Sequence, residues 1–228
     1  MNVKPAFDLT LYLVIGSDVT QGRPLLEVVA AAVRGGATLV QLREKALGDA
    51  ALVDAARALK GLLAPLGVPL IVNDRAEVAR AAGADGVHLG QDDLDAARAR
   101  EILGPGGLIG VSAGTAEEAA RVDRDLADYV GIGAVYATAT KSDAGPSIGV
   151  GGLATLAAAL RPLPVVAIGG IGATNAAQVM SAQGTAGSAP DGVAVVSAIC
   201  SAEDPEAAAQ ALRREIDAAR EGDAIRLK

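Results

Sequence analysis

The sequence predicts a single (β/α)8 barrel. Eight short apolar runs rich in Val, Ile and Leu alternate with eight Ala-, Leu- and Arg-rich stretches of helical spacing. The chain has 228 residues, 51% of them hydrophobic, which suits one α/β barrel better than two small domains. Polar and glycine residues also gather at the C-terminal ends of the apolar runs, the rim where such barrels keep their chemistry.

The strands are expected at 9–15, 38–42, 70–73, 86–89, 108–111, 129–133, 165–168 and 193–197. Each is apolar on both alternating faces, as a parallel strand covered by helices must be. Helices are expected at 24–34, where Pro24 is a natural opener, and at 49–63, 76–82, 94–103, 116–126, 153–160, 173–181 and 205–220. The alternative is a doubly wound open sheet. It would place a glycine-rich fingerprint after its first strand, where this chain has Gly16-Ser17-Asp18. No linker divides the chain, so residues 1–228 read as one domain. Residues 183–190 form a small polar insertion, and the polar tail 222–228 is expected to fray.

Composition removes several function classes. There are 20 Lys and Arg against 27 Asp and Glu, a net charge of −7, which argues against general nucleic-acid binding. Aromatics make up 2%, leaving no stacking platform for single strands. The single Cys200 excludes an intrachain disulfide framework and a thiolate metal cluster, and reads as a buried inert thiol. No apolar run approaches the ~18–20 residues of a membrane span. The first eight residues do not read as a signal peptide, so the expected compartment is the cytoplasm and the expected partners are small molecules.

The rim residues suggest the chemistry. Arg43 and Lys45 follow the second strand and Lys141 follows the sixth. Asp74 and Asp93 follow the third and fourth. Two carboxylates beside a polyphosphate are a common setting for Mg²⁺, although either Asp could instead cap a helix. For Asp92 the helix cap is the preferred reading. The run Ile168-Gly169-Gly170-Ile171-Gly172 reads as a backbone phosphate cradle, with Ser197 on the next strand beside it. The rim thus offers two anion sites, one suited to a pyrophosphate and one to a monophosphate. The loop 137–150 is long enough to close over them. His88, the only histidine, fits a hydrogen-bonded structural role at least as well as that of a general base.

These segments, taken in order, resemble the thiamine-phosphate synthase family: 40–45 (VQLREK), 71–75 (IVNDR), 86–93 (GVHLGQDD), 110–113 (GVSA), 129–133 (YVGIG), 138–141 (TATK), 168–171 (IGGI) and 195–199 (VVSAI). The resemblance implies a (β/α)8 barrel that joins a hydroxymethylpyrimidine diphosphate to a thiazole phosphate, releasing pyrophosphate. It implies that Gln41, Arg43, Lys45 and Asn73 meet the pyrimidine diphosphate, and that Asp74 and Asp93 hold Mg²⁺. Ser112 and Lys141 would complete the pyrophosphate site, with Arg43, Lys141 and Ser112 acting on the reaction itself. Thr138, Ala139, Thr140, Gly170, Val196 and Ser197 would bind the thiazole phosphate. A homo-oligomer is allowed. A sister branch that tautomerises the thiazole phosphate relies on a His where this chain has Gly114, and glycine cannot move a proton. Ala137, where the family often has Pro, and the 183–190 insertion are further departures. A non-catalytic phosphate binder is the other alternative.

Overall fold

The computed structural model describes residues 4–138, 145–182 and 189–226. Eight parallel strands close into a barrel in chain order. They are β1 (Leu11–Ile15), β2 (Leu39–Leu42), β3 (Leu70–Asn73), β4 (Gly86–Leu89), β5 (Leu108–Ala113), β6 (Tyr129–Ile132), β7 (Val165–Ile168) and β8 (Gly192–Val195). The helices between and after them are α1 (Leu25–Arg34), α2 (Asp49–Leu63), α3 (Ala76–Ala82), α4 (Ala96–Leu103), α5 (Ala116–Arg121), α6 (Gly149–Leu160), α7 (Ala176–Met180), α8 (Ser197–Cys200) and α9 (Pro205–Arg226).

Alternation along each strand builds two cores. One residue in two points inward, so Tyr12, Leu39, Ile71, Leu108, Tyr129, Val166 and Ala194 fill the barrel. Their neighbours Leu11, Leu13, Val40, Leu42, Val72, Val130 and Val193 face outward and pack with the helices in a larger layer. Register fixes which residues reach the rim together, with Ile15 beside Leu42, Asn73 beside His88 and Ser112 beside Gly131.

The opposite end is tied by one repeated device. Thr38, Asp85, Asp128 and Asp191 each immediately precede an even-numbered strand. Each donates its backbone N–H to the carbonyl of Leu11, Leu70, Ile109 or Val165 on the preceding strand. Its side-chain oxygen accepts the N–H of that same residue, at 3.1, 2.8, 2.8 and 2.7 Å. The three aspartates also pair with Lys60, Arg100 and Arg161.

Element ends differ from expectation where tertiary contacts intervene. α4 starts at Ala96 because Asp95 caps it, accepting from Arg98 N–H. Asp92 is therefore not the cap. α5 stops at Arg121, and Asp123 takes over the next turn by accepting from the N–H groups of Asp125 and Leu126. α6 begins at Gly149, four residues early, because Ile148 and Gly149 donate to Ala134 and Val135. α7 begins only at Ala176, after an Asn175 turn. Ser197 opens the short α8 instead of ending β8. α9 continues to Arg226, through residues expected to fray, in a sequence of good helix formers.

Candidate active site

The β1–β2 ladder runs on to the rim, where Arg43 N–H donates to Ile15 C=O at 2.8 Å. Buried Glu44 accepts the N–H of Ser17 and fixes the β1 turn. Lys45 follows on the exposed side. Arg75 donates to Leu47 C=O at 2.7 Å and pairs with Asp49, tying this loop to the end of β3.

Asp74 sits in a left-handed turn, φ 63°, a conformation that Asp and Asn tolerate better than most residues. Its N–H donates to His88 C=O at 2.8 Å, and no side-chain cap forms on α3. The turn brings its carboxyl against that of Asp93. Burial and the hydrogen bond and charge of Asp93 push Asp74 up to about 6, while Lys45 and Arg43 pull the other way. Asp93 Oδ2 also accepts Gly90 N–H at 2.7 Å, so its own turn aims it at Asp74.

Across the cavity mouth, Gly169 and Gly170 follow β7 with φ 105° and 64°. A Cβ at Gly170 would lie 2.7 Å from Tyr136 Cβ, so the close approach and the backbone angle both require glycine. Asn175 secures the turn, accepting Gly172 N–H at 2.8 Å and donating to Gly170 C=O at 3.0 Å. Ser197 stands exposed beside it.

Between these two ends lies a cavity of about 980 Å³. It is lined by every described residue singled out from the sequence: Gln41, Arg43, Lys45, Asn73, Asp74, Asp93, Ser112, Thr138, Gly170, Val196 and Ser197. Ala139, Thr140 and Lys141, most of the 137–150 loop, and positions 183–188 of the insertion lie outside the described residues. Cys200 is fully buried and burial pushes its thiol up to about 12, which leaves it inert. Gly114 donates to Glu118 at 2.5 Å.

Sequence reading passed over Asn175 and the interior tyrosines Tyr12 and Tyr129. An Asn three residues after Gly172 was the available signal for the first. Tyrosines inside strand runs of an almost aromatic-free chain were the signal for the others.

Among the described residues no cluster of three or more acidic, His or Cys side chains could hold a metal by itself. The Asp74–Asp93 pair nevertheless fits a Mg²⁺ ion. Two carboxyls held in contact favour a cation between them, and Mg²⁺ usually takes one or two carboxylates plus waters and phosphate oxygens.

A barrel with a carboxylate-and-cation pocket facing a backbone cradle across one rim defines a phosphate-handling (β/α)8 enzyme. The profile of the thiamine monophosphate synthase family matches residues 11–199. The thiamine-phosphate synthase of Xanthobacter autotrophicus is 55% identical over 94% of this chain and 98% of its own. That of Azorhizobium caulinodans is 51% identical over the same shares. Among solved structures, a thiamine phosphate pyrophosphorylase from Pyrococcus furiosus superposes with TM-score 0.82 at 36% identity, covering 92% of this chain and 96% of that one. The chain belongs to the thiamine monophosphate synthase family, and is a transferase of thiamine biosynthesis.

Proposed function

We propose that the chain condenses 4-amino-2-methyl-5-hydroxymethylpyrimidine diphosphate with 4-methyl-5-(2-phosphooxyethyl)thiazole, giving thiamine phosphate and pyrophosphate. The observation that carries this reading is the pairing of two unlike anion sites on one cavity. The Asp74–Asp93 pair lies with Arg43 and Lys45 at one end, and the Gly169–Gly170 turn lies at the other.

In this reading Arg43, Lys45, Ser112 and Lys141 hold the diphosphate, and Gln41 and Asn73 orient the pyrimidine. Asp74 and Asp93 hold Mg²⁺, which when bound neutralises charge gathering on the departing pyrophosphate. The pyrimidine C–O bond breaks and its electron pair leaves with the pyrophosphate. Arg43 and Lys141 stabilise that charge as it grows. The backbone at Gly170, with Thr138, Ala139, Thr140, Val196 and Ser197, fixes the thiazole phosphate. That contact places the ring nitrogen where its lone pair forms the new C–N bond to the methylene carbon. The 137–150 loop excludes water that would otherwise trap the carbon. In this setting the enzyme works on small molecules in the cytoplasm.

The test is one incubation with both substrates and Mg²⁺, following pyrophosphate and thiamine phosphate together. Equimolar appearance of the two, lost on chelation with EDTA, is the expected result. Pyrophosphate without thiamine phosphate, or neither, overturns the reading. Lys141→Ala should lower turnover about a hundredfold or more while the far-UV spectrum stays that of the parent. Unchanged turnover removes Lys141 from the scheme.

A further inference from the structure

The barrel interior beneath the cavity is apolar except for one line of hydrogen bonds that crosses it. Gln41 Nε2 donates to Tyr12 Oη at 2.7 Å. Tyr12 Oη lies 2.8 Å from Tyr129 Oη. Tyr129 Oη lies 3.1 Å from His88 Nδ1, and His88 Nε2 lies 3.0 Å from Ser112 Oγ. The five residues come from β2, β1, β6, β4 and β5, so the line spans the barrel and its two ends both surface in the cavity. Burial pushes both phenols far above their ordinary values, which keeps both phenolic protons in the line.

The chain makes room for it at two glycines. A Cβ at Gly110 would lie 2.1 Å from Tyr129 Cζ and 2.5 Å from His88 Nδ1, and one at Gly131 would lie 3.2 Å from His88 Cε1. Three ring contacts, Tyr12 and His88 each with Tyr129 and Phe7 with Tyr129, pack the rings at centroid distances of 5.5–5.9 Å. Polar groups this deep are costly unless each donor meets an acceptor, so the protons in the line must be ordered.

We infer that this line is a directional relay, in which Tyr12, Tyr129 and His88 are positioning residues that fix the hydrogen-bonding polarity of Gln41 and Ser112 toward the substrate. The amide orientation sets the direction. Tyr12 accepts from Gln41, so it turns its own proton to Tyr129. Tyr129 then gives its proton to His88 Nδ1. The imidazole carries its proton on Nε2 and donates it to Ser112 Oγ. Ser112, already an acceptor, turns its own O–H to the cavity, while Gln41 presents its carbonyl Oε1 there. One end of the relay offers an acceptor and the other a donor. The use of that polarity rests on the function proposed above: an acceptor at Gln41 suits an amino group on the pyrimidine, and a donor at Ser112 suits a phosphate oxygen. The same line with every proton reversed would present the opposite pair and reject both.

The relay makes a test possible at a residue far along the line from the change. The chain has one histidine, so a long-range 1H–15N spectrum of the untagged, 15N-labelled protein reads a single imidazole. In the parent protein the expected tautomer is protonated Nε2 with bare Nδ1, and the opposite tautomer overturns the relay. Gln41→Glu puts an acceptor-only carboxylate against Tyr12, which then donates backward. The expected result is inversion to protonated Nδ1 at a residue that Gln41 does not touch. An unchanged tautomer overturns the coupling. In Tyr12→Phe the line is cut, so adding Gln41→Glu should no longer invert the imidazole; inversion there would mean that the signal bypasses the line and would overturn it. The parent spectrum needs no variant, so a Gln41→Glu protein that does not fold still leaves the relay open to refutation. No substrate is needed either. A failed relay leaves the product assay standing, and an inactive protein leaves the relay standing.

Discussion

Asp74 serves two needs that pull against each other. Its left-handed turn and its contact with Asp93 suit it to hold a cation, yet without one it is a half-buried carboxyl beside another. Its folded pKa, about 6, lies above the ordinary 3.8. A carboxyl raised in this way favours the folded state while protonated. That contribution is full below the unfolded value and is lost as pH rises through about 6. At pH 7.5 the metal-free protein therefore carries a destabilising charge here. Asp74→Asn, which tolerates the same φ, should raise the stability of the EDTA-treated protein at pH 7.5 by about 1 kcal/mol after allowing for solvent screening. The gain should vanish near pH 4, and Mg²⁺-dependent turnover should be lost. Urea denaturation at the two pH values checks this; an equal gain at both would show that the charge is not the cause.

The elements divide into those fixed locally and those fixed by the rest of the barrel. β3, β4 and β7 match their expected bounds, because each is a short β-branched run closed by a polar or glycine residue. α2 and α3 match too, each a run of good helix formers with a glycine just before its start or just after its end. The glycine-rich start of α6 could not be read as helix, since what holds it is a pair of hydrogen bonds to the segment after β6. The candidate site was legible for a related reason: rim residues follow strands whose ends could be counted. The relay was not, because its members are single polar residues inside apolar strands, and only closure of the barrel brings them into line. The Thr/Asp device at the opposite end belongs to this scale as well. Asp128 joins Ile109 N–H, Arg100 and Lys4 at once. Asp128→Ala leaves a strand N–H and a guanidinium without their acceptor and should cost about 2–4 kcal/mol by urea denaturation. Its kcat should remain near that of the parent, because the device lies at the end of the barrel away from the cavity. A fall in kcat without loss of stability would contradict a purely structural role.

The whole molecule is acidic, with a net charge of −7, and its substrates in this account are anions. Attraction cannot come from the overall field, so each anion must be held by local means. At one end these are side-chain cations and a carboxylate pair suited to Mg²⁺; at the other they are backbone N–H groups of a glycine turn. Closure of the barrel sets the two ends across a single cavity and floors it with the relay. The central claim is that these are two sites of different kinds. Calorimetric titration of pyrophosphate and of the thiazole phosphate, each with Mg²⁺ and with EDTA, tests it most directly. The account predicts that pyrophosphate binds only with Mg²⁺, that the thiazole phosphate binds equally well in both conditions, and that saturating one leaves room for the other. Equal dependence of both on Mg²⁺, or competition between them for one site, would contradict it.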